Sequence, residues 1–254
     1  MDMTNALTYA AQQRHRVGRW CIYLILVLSS SLNANPIITW QQEADRFGDG
    51  RWEALGTEQG VALARKRIGG EGLFAVRGET VIKAPIEKVA SVVYDESRWT
   101  EWSDKTSAAA LLSKGVGAMK TVYQAVKMPF VLSDRDVIYT FGYQYAHGTL
   151  SFVARTLPYR RSPKTIGVRM HLVEGRWFLK PTADGHTHLV LEILMDPKGS
   201  LPTWFVNLVQ RDYPVDLLAA LAKQARRADV RGLDFRDQST SDVQPLYKRS
   251  AVVR

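Results

Sequence analysis

One cysteine stands in the 254 residues, Cys21, so the chain holds no intrachain disulfide and no thiolate metal cluster. Zinc ribbons, iron–sulfur centres and thiol–disulfide oxidoreductases are thereby excluded. Apolar runs are short as well. Cys21 to Leu28 gives eight such residues in a row, against the ~20 that a membrane-spanning helix needs. Catalytic motifs are also missing: there is no Gly-x-Ser-x-Gly elbow and no His-Glu-x-x-His pair. Gly115-Val-Gly117 is too short for a phosphate loop. Acidic residues are in deficit, 25 Asp and Glu against 34 Lys and Arg, for a net charge of +9. The cations are scattered rather than striped, so no nucleic-acid partner is expected.

What is present is the composition of a packed globular domain, 46% apolar and 23% charged. A chain of this length buries about 70% or more of its unfolded surface. Its N-terminus has the form of an export signal. Arg14, His15, Arg16 and Arg19 precede the apolar run, and Ser29-Ser-Ser-Leu-Asn-Ala34 follows it, with Ala34 as the expected cleavage point. An uncleaved signal anchor and an ordinary buried helix are the alternatives for this segment. Cleavage would leave 31 Lys and Arg against 24 Asp and Glu, and no cysteine. A periplasmic or secreted protein starting near Asn35 is expected. The division is then 1–34 signal, 35–228 folded domain, and 229–254 a polar, disordered tail.

Along the expected mature chain, residues 36–58 are polar with scattered tryptophans and suggest a short helix. Val61–Ile68 and Phe74–Ile82 read as strands. A helix is expected over Lys83–Tyr94, with Pro85 in its first turn, where a missing N–H costs nothing. Strands follow near 106–113 and 119–127. From 134 to 195 the period-two alternation is strongest: Val137, Tyr139, Phe141 and Tyr143 share one face, as do Leu189, Leu191, Ile193 and Met195. Ile166, Val168 and Met170 also alternate. Ala183-Asp-Gly185 is a hairpin signal. The loops are too short for helical crossovers, so the sheet is an antiparallel meander. Ser200 then caps a helix that runs to about Arg227, with an apolar stripe from Leu201 to Ala222 and a kink expected at Pro214.

Four stretches go further than periodicity. Met128-Pro-Phe-Val-Leu-Ser-Asp-Arg-Asp136 resembles the Pro-x-x-x-x-x-Arg-Asp signature of START domains, the steroidogenic-acute-regulatory-related lipid-transfer family. Gly175-Arg-Trp-Phe-Leu-Lys-Pro181 and Met195-Asp-Pro-Lys-Gly-Ser-Leu-Pro-Thr-Trp-Phe-Val-Asn207 are similar to that family's closing hairpin and helix start. Thr156 to Arg169 resembles its loop and following strand. The resemblance covers roughly residues 50 to 226. It implies an α+β helix-grip fold, a curved antiparallel β-sheet wrapped around a long C-terminal α-helix with an internal apolar tunnel. It implies, too, a protein that binds a single lipid or other hydrophobic ligand and carries or presents it, without cofactor and without catalysis. Each methylene removed from water is worth about 0.8 kcal/mol, so a 16-carbon chain needs on the order of 12 kcal/mol of shelter. A cavity of roughly several hundred cubic ångströms is expected to supply it.

The resemblance marks Tyr139, Phe141, Leu191, Ile193, Phe205, Leu208 and Leu218 as the tunnel wall, although an ordinary core would use the same residue types. Arg135 either holds a lipid headgroup or is structural, paired with a carboxylate under the sheet, as a buried charge must be. Sterol-carrying members of the family place an arginine six residues further on. Phe141 stands there in this chain, which speaks against sterol binding of that type. The loop 157–165 corresponds to the family's gate. Its Tyr159, Arg160, Arg161 and Lys164 suit transient contact with an anionic membrane surface, or a plain solvated loop. His186 and His188 share a strand face but lack a third metal ligand, so no metal is expected. An enzyme of the same shape, a cyclase or hydrolase, would need an acid–base pair in the cavity. Only Tyr123, Tyr139 and His171 offer themselves. A monomer is expected.

Overall fold

A computed structural model describes residues 46–236, apart from 49, 69–72, 130, 200 and 202, and the backbone alone for 203–210. The export segment 1–34, residues 237–254 of the tail, the Ser200 cap, and the side chains of Phe205 and Leu208 lie outside the described residues.

Ten strands occur among the described residues. They are β1 (Glu53–Glu58), β2 (Val61–Ile68), β3 (Leu73–Ile82), β4 (Thr106–Lys114), β5 (Lys120–Val126), β6 (Arg135–Ala146), β7 (Thr149–Arg155), β8 (Val168–Arg169), β9 (His171–Pro181) and β10 (Thr187–Asp196). Between β3 and β4 lie α1 (Ile86–Tyr94), a 3-10 turn (Glu96–Arg98) and the short α2 (Trp99–Trp102), and α3 (Thr203–Ala225) follows β10. Nine strands form one path in the order β1-β2-β3-β10-β9-β7-β6-β5-β4, with β8 beside the start of β6. Neighbours on the path are antiparallel and only the β8–β6 pair is parallel.

Turn chemistry explains the hairpins. Gln59 and Gly60 link β1 to β2, and His147 and Gly148 link β6 to β7. Both pairs have positive φ (49° and 79°; 50° and 73°), the two-residue turn whose twist matches the flanking strands. The alternation at 166–170 yields only the two-residue β8. Gly167 lies so close to the Asp134 carbonyl that an added Cβ would meet it at 2.2 Å, so this segment serves as a tether rather than a full strand.

On the inner face, Tyr139, Phe141, Tyr143 and Phe152 join Tyr94 and Trp99 in one aromatic cluster, with ring centroids 4.9–6.4 Å apart. The long helix closes this face through Val215, Leu218, Leu221 and Ala225, all buried. Ala219, expected in the apolar stripe, is exposed instead. The helix comes close to the sheet at Gly78 of β3, where a Cβ would stand 3.0 Å from Leu218 Cδ1 and 3.3 Å from Pro214 Cβ. Pro214 lies inside the helix and packs on the sheet.

On the outer face, a ladder of charges crosses four strands. Arg155 donates to Glu174 at 2.8 Å, Arg176 engages the same carboxylate, and Arg176 and Arg77 both reach Glu192, at 3.8 and 3.7 Å. Glu174 is 1% exposed. Phe47 helps to cover this face, with the Arg176 guanidinium 4.4 Å from its ring centroid.

Sequence placed the polar tail from 229 on, yet residues 229–236 pack on the domain. Val230 and Phe235 are buried, the Leu233 amide donates to the Glu87 carbonyl at 2.9 Å, and Phe235 meets Tyr145 at 5.0 Å. Asp229 pairs with Arg98 at 2.6 Å. This segment straps α1 and the end of β6.

Candidate functional site

Between sheet and helix lies a cavity of about 100 Å³. That is smaller than the expected several hundred, and below the roughly 300–1,000 Å³ of pockets that take drug-sized ligands. The reason is aromatic bulk. Trp99, Trp102, Tyr139, Phe141, Trp177 and Tyr213 all project into its wall, and each fills space that an aliphatic residue would leave open.

Tyr139, Phe141 and Ile193, among the residues the resemblance marked as tunnel wall, line the cavity. Leu191 and Leu218 are 1% exposed and pack beside it in the solid core. Arg135 lies beyond the wall, on the same strand face as Val137, Tyr139 and Phe141. It has no carboxylate partner among the described residues. Pairing falls instead to its neighbour Asp136, which is 0% exposed, engages Arg169, and accepts the Ile166 amide at 3.0 Å. The loop residues are not part of the cavity lining: Tyr159 donates its hydroxyl to the Leu112 carbonyl at 3.2 Å, and Arg160, Arg161 and Lys164 are exposed.

Sequence reasoning missed a polar group within the lining. Ser103 and Thr106 hydroxyls lie 2.9 Å apart, Gln124 Nε2 donates to Thr106 Oγ1 at 2.9 Å, and Tyr139 donates to Gln124 Oε1 at 3.0 Å. The register explains the grouping. Val126 lies opposite both Thr106 and Arg135, and Gln124 lies opposite Val137, so these residues share the inner face. Trp102 Nε1 also belongs to a lining residue, and it is buried without a partner. An unpaired buried N–H is costly, so the wall presents a ready donor. The signal available in sequence was Gln124 between Val122 and Val126, a polar residue on an apolar alternation.

No described lining residue carries a charge at neutral pH. Its titratable groups are phenols. Burial pushes Tyr139 well above the ordinary value near 10 and pushes Tyr213 up to about 12. A phenol raised on folding favours the neutral form, so its contribution to stability is intact below about pH 10 and is lost as pH rises toward about 12. Tyr213→Phe should therefore flatten the alkaline fall in stability over that window, as read by chemical denaturation at a series of pH values. An unchanged slope would place the Tyr213 hydroxyl in water.

Tyr123 and His171 do not join this group. Tyr123 turns to the outer face, its hydroxyl 3.4 Å from Asp136, and His171 sits at the sheet end opposite Asp196. The two hairpin histidines are held by carboxylates, His186 on Asp184 at 2.8 Å and His188 on Glu79 at 2.9 Å. Among the described residues no group of three metal-ligating side chains occurs, and no helix is long and apolar enough to cross a membrane.

Comparison with known proteins agrees with this architecture. The chain is 27% identical over 177 residues to an uncharacterised protein of Pseudomonas aeruginosa, covering 69% of this chain and 87% of that one. It is 23% identical over 180 residues to the phosphatidylcholine transfer protein of Bos taurus, covering 68% and 83%. Among solved structures, the STAR-related lipid transfer protein fragment from Xanthomonas axonopodis superposes with a TM-score of 0.62 at 26% identity, covering 70% of this chain and all of that one. Human StAR-related lipid transfer protein 5 gives 0.64 at 18% identity, over 86% and 97%. The expected helix-grip fold is thus the one observed. The START domain profile matches residues 50–220, and the chain belongs to the START domain family.

Proposed function

We propose that this protein binds one lipid or other hydrophobic molecule in the sheet–helix cavity and carries or presents it, without catalysing a reaction. The observation that carries this reading is the cavity itself, apolar around most of its wall with hydrogen-bonding groups gathered at Trp102, Thr106, Gln124 and Tyr139. That combination suits a ligand with a long apolar part and a small polar one. Two raised phenols as its titratable groups suit a hydrogen-bonding wall better than proton transfer near neutral pH. The printed names of the bovine and Xanthomonas relatives, a phosphatidylcholine transfer protein and a lipid transfer protein, support the same class. The basic and apolar stretches at 14–34 support export to the periplasm or beyond.

A lipid does not fit about 100 Å³, so loading requires the wall to part. The movable pieces are those with few buried contacts. One is the loop 157–165, and another is the turn into α3, where Lys198 and Gly199 have φ of 55° and 71°. In and next to the loop, Leu157 and Ile166 expose 37% and 51% of their surface, in the same segment as the three exposed cations. An apolar rim with positive charge fits an anionic membrane surface.

Changing Arg160, Arg161 and Lys164 together to Ser should slow lipid pickup from anionic vesicles several-fold, with affinity for lipid in solution little changed. High salt should slow the wild type in the same way, since exposed charges are screened beyond about 10 Å at 0.1 M. A transfer assay with equal rates for both proteins on anionic vesicles at low salt rules the docking role out.

A further inference from the structure

We infer that Arg135 is an anion-recognition group at the edge of this cavity, and that the ligand is an amphiphile with a carboxylate or phosphate head. The inference rests on the cavity being a lipid site and adds the charge of the ligand's head.

Arg135 is only 3% exposed, yet it has no ion pair among the described residues. Its Nη1 donates to the carbonyl of Ser133, two residues back, and its Nε has no partner. Both neighbouring carboxylates are committed elsewhere. Asp134 is exposed and accepts the Met128 amide at 3.0 Å. Asp136, which alternation turns to the opposite face, is held by Arg169 and the Ile166 amide. A guanidinium offers five donors in a planar fork that matches a carboxylate or phosphate. Burying one without a counter-charge is strongly unfavourable, so the arrangement calls for an anion from outside the chain.

The register says where that anion would stand. Arg135 lies opposite Val126, which lies opposite Thr106, and Val137 two residues on lies opposite Gln124. Residues two apart on a strand are about 6.6 Å apart on the same face. Arg135 is therefore level with Thr106 across Val126, one pair beyond Gln124 and two beyond Tyr139 on its own strand. It also lies against the turn into α3, with Nη2 4.0 Å from where a Cβ on Gly199 would be. An amphiphile with its chain among Phe141 and Trp177 and its neutral linkage beside Tyr139 and Gln124 would bring its charged head to Arg135.

The test uses two fluorescent probes with one chain, 11-(dansylamino)undecanoic acid and its methyl ester. Wild-type protein should bind the acid about 10–100-fold more tightly than the ester, the worth of charge-assisted hydrogen bonds expressed as affinity. Arg135→Met should erase that preference and leave ester affinity unchanged, and its melting temperature without probe should not fall. Arg135→Lys, which keeps the charge but not the fork, should retain part of the preference. Equal affinity of the wild type for acid and ester, or an Arg135→Met variant that still prefers the acid, overturns the assignment. A marked drop in melting temperature for Arg135→Met with Arg135→Lys at wild-type stability and no acid preference also overturns it, because the charge would then be structural. If millimolar inorganic phosphate alone stabilises the wild type as much as the acid probe does, the site takes free anions and the lipid assignment fails. Failure of the wild type to bind either probe counts against the lipid reading itself rather than against Arg135 alone.

Discussion

Val137→Phe should abolish lipid loading while leaving the fold in place. Val137 is 1% exposed and lines the cavity on the strand that carries Tyr139 and Phe141. A phenyl ring there occupies much of about 100 Å³, and it does so at the polar row, opposite Gln124. Overpacking of this kind costs about 1–3 kcal/mol, so the variant should melt only a few degrees below wild type. Binding of a fluorescent lipid should fall at least 100-fold, a far larger effect than the stability change. Circular dichroism checks the fold and fluorescence titration checks the binding. Loading at the wild-type level would place the ligand elsewhere on the domain.

The second large effect is on stability. Glu174 is 1% exposed and receives two arginines, Arg155 and Arg176, whose side chains are 8% and 4% exposed. Removing the central charge leaves buried cations under-compensated, which costs about 3–5 kcal/mol. Glu174→Gln should therefore lower the melting temperature by roughly 6–20 °C at 2–4 °C per kcal/mol for a domain of this size. Adding Arg155→Met should recover part of the loss, since it removes one of the stranded charges. Lipid affinity measured well below the melting point should hardly change, because the ladder is on the face away from the cavity. A loss under about 1 kcal/mol would mean that the ladder behaves like exposed surface pairs.

Much of this fold was legible in the sequence because period-two alternation and turn chemistry agree with each other. The β6–β7 and β9–β10 hairpins are bounded by His147-Gly148 and Ala183-Asp-Gly185, and their inner faces carry the residues that alternation assigned. β1 was missed because Glu-Ala-Leu-Gly-Thr-Glu has no alternating apolar face, and most of the strand is exposed. Its place is set by pairing with β2. The packed start of the tail was missed for a related reason: Val230 and Phe235 are isolated apolar residues in a polar run, and only α1 and Tyr145 decide that they are buried.

The site was less legible than the fold. Tyr139, Phe141 and Ile193 share faces that alternation shows and were marked as wall by the resemblance, but Gln124 and Thr106 join them only through the register of β4, β5 and β6, which no local pattern states. Trp102 comes from a four-residue helix too short to show periodicity. Cavity size was misjudged because a tunnel and a core draw on the same side chains, and the difference lies in how wide aromatics meet. Of the two readings open for Arg135, pairing with a carboxylate is not the one seen: alternation turned Asp136 to the opposite face, where Arg169 took it.

Native mass spectrometry of the protein after incubation with bacterial-lipid vesicles tests the central claim most directly. The account predicts a single adduct of lipid mass per chain on the wild type and none on Val137→Phe. Bare protein mass on a folded wild-type chain, or the same adduct on both proteins, would contradict it.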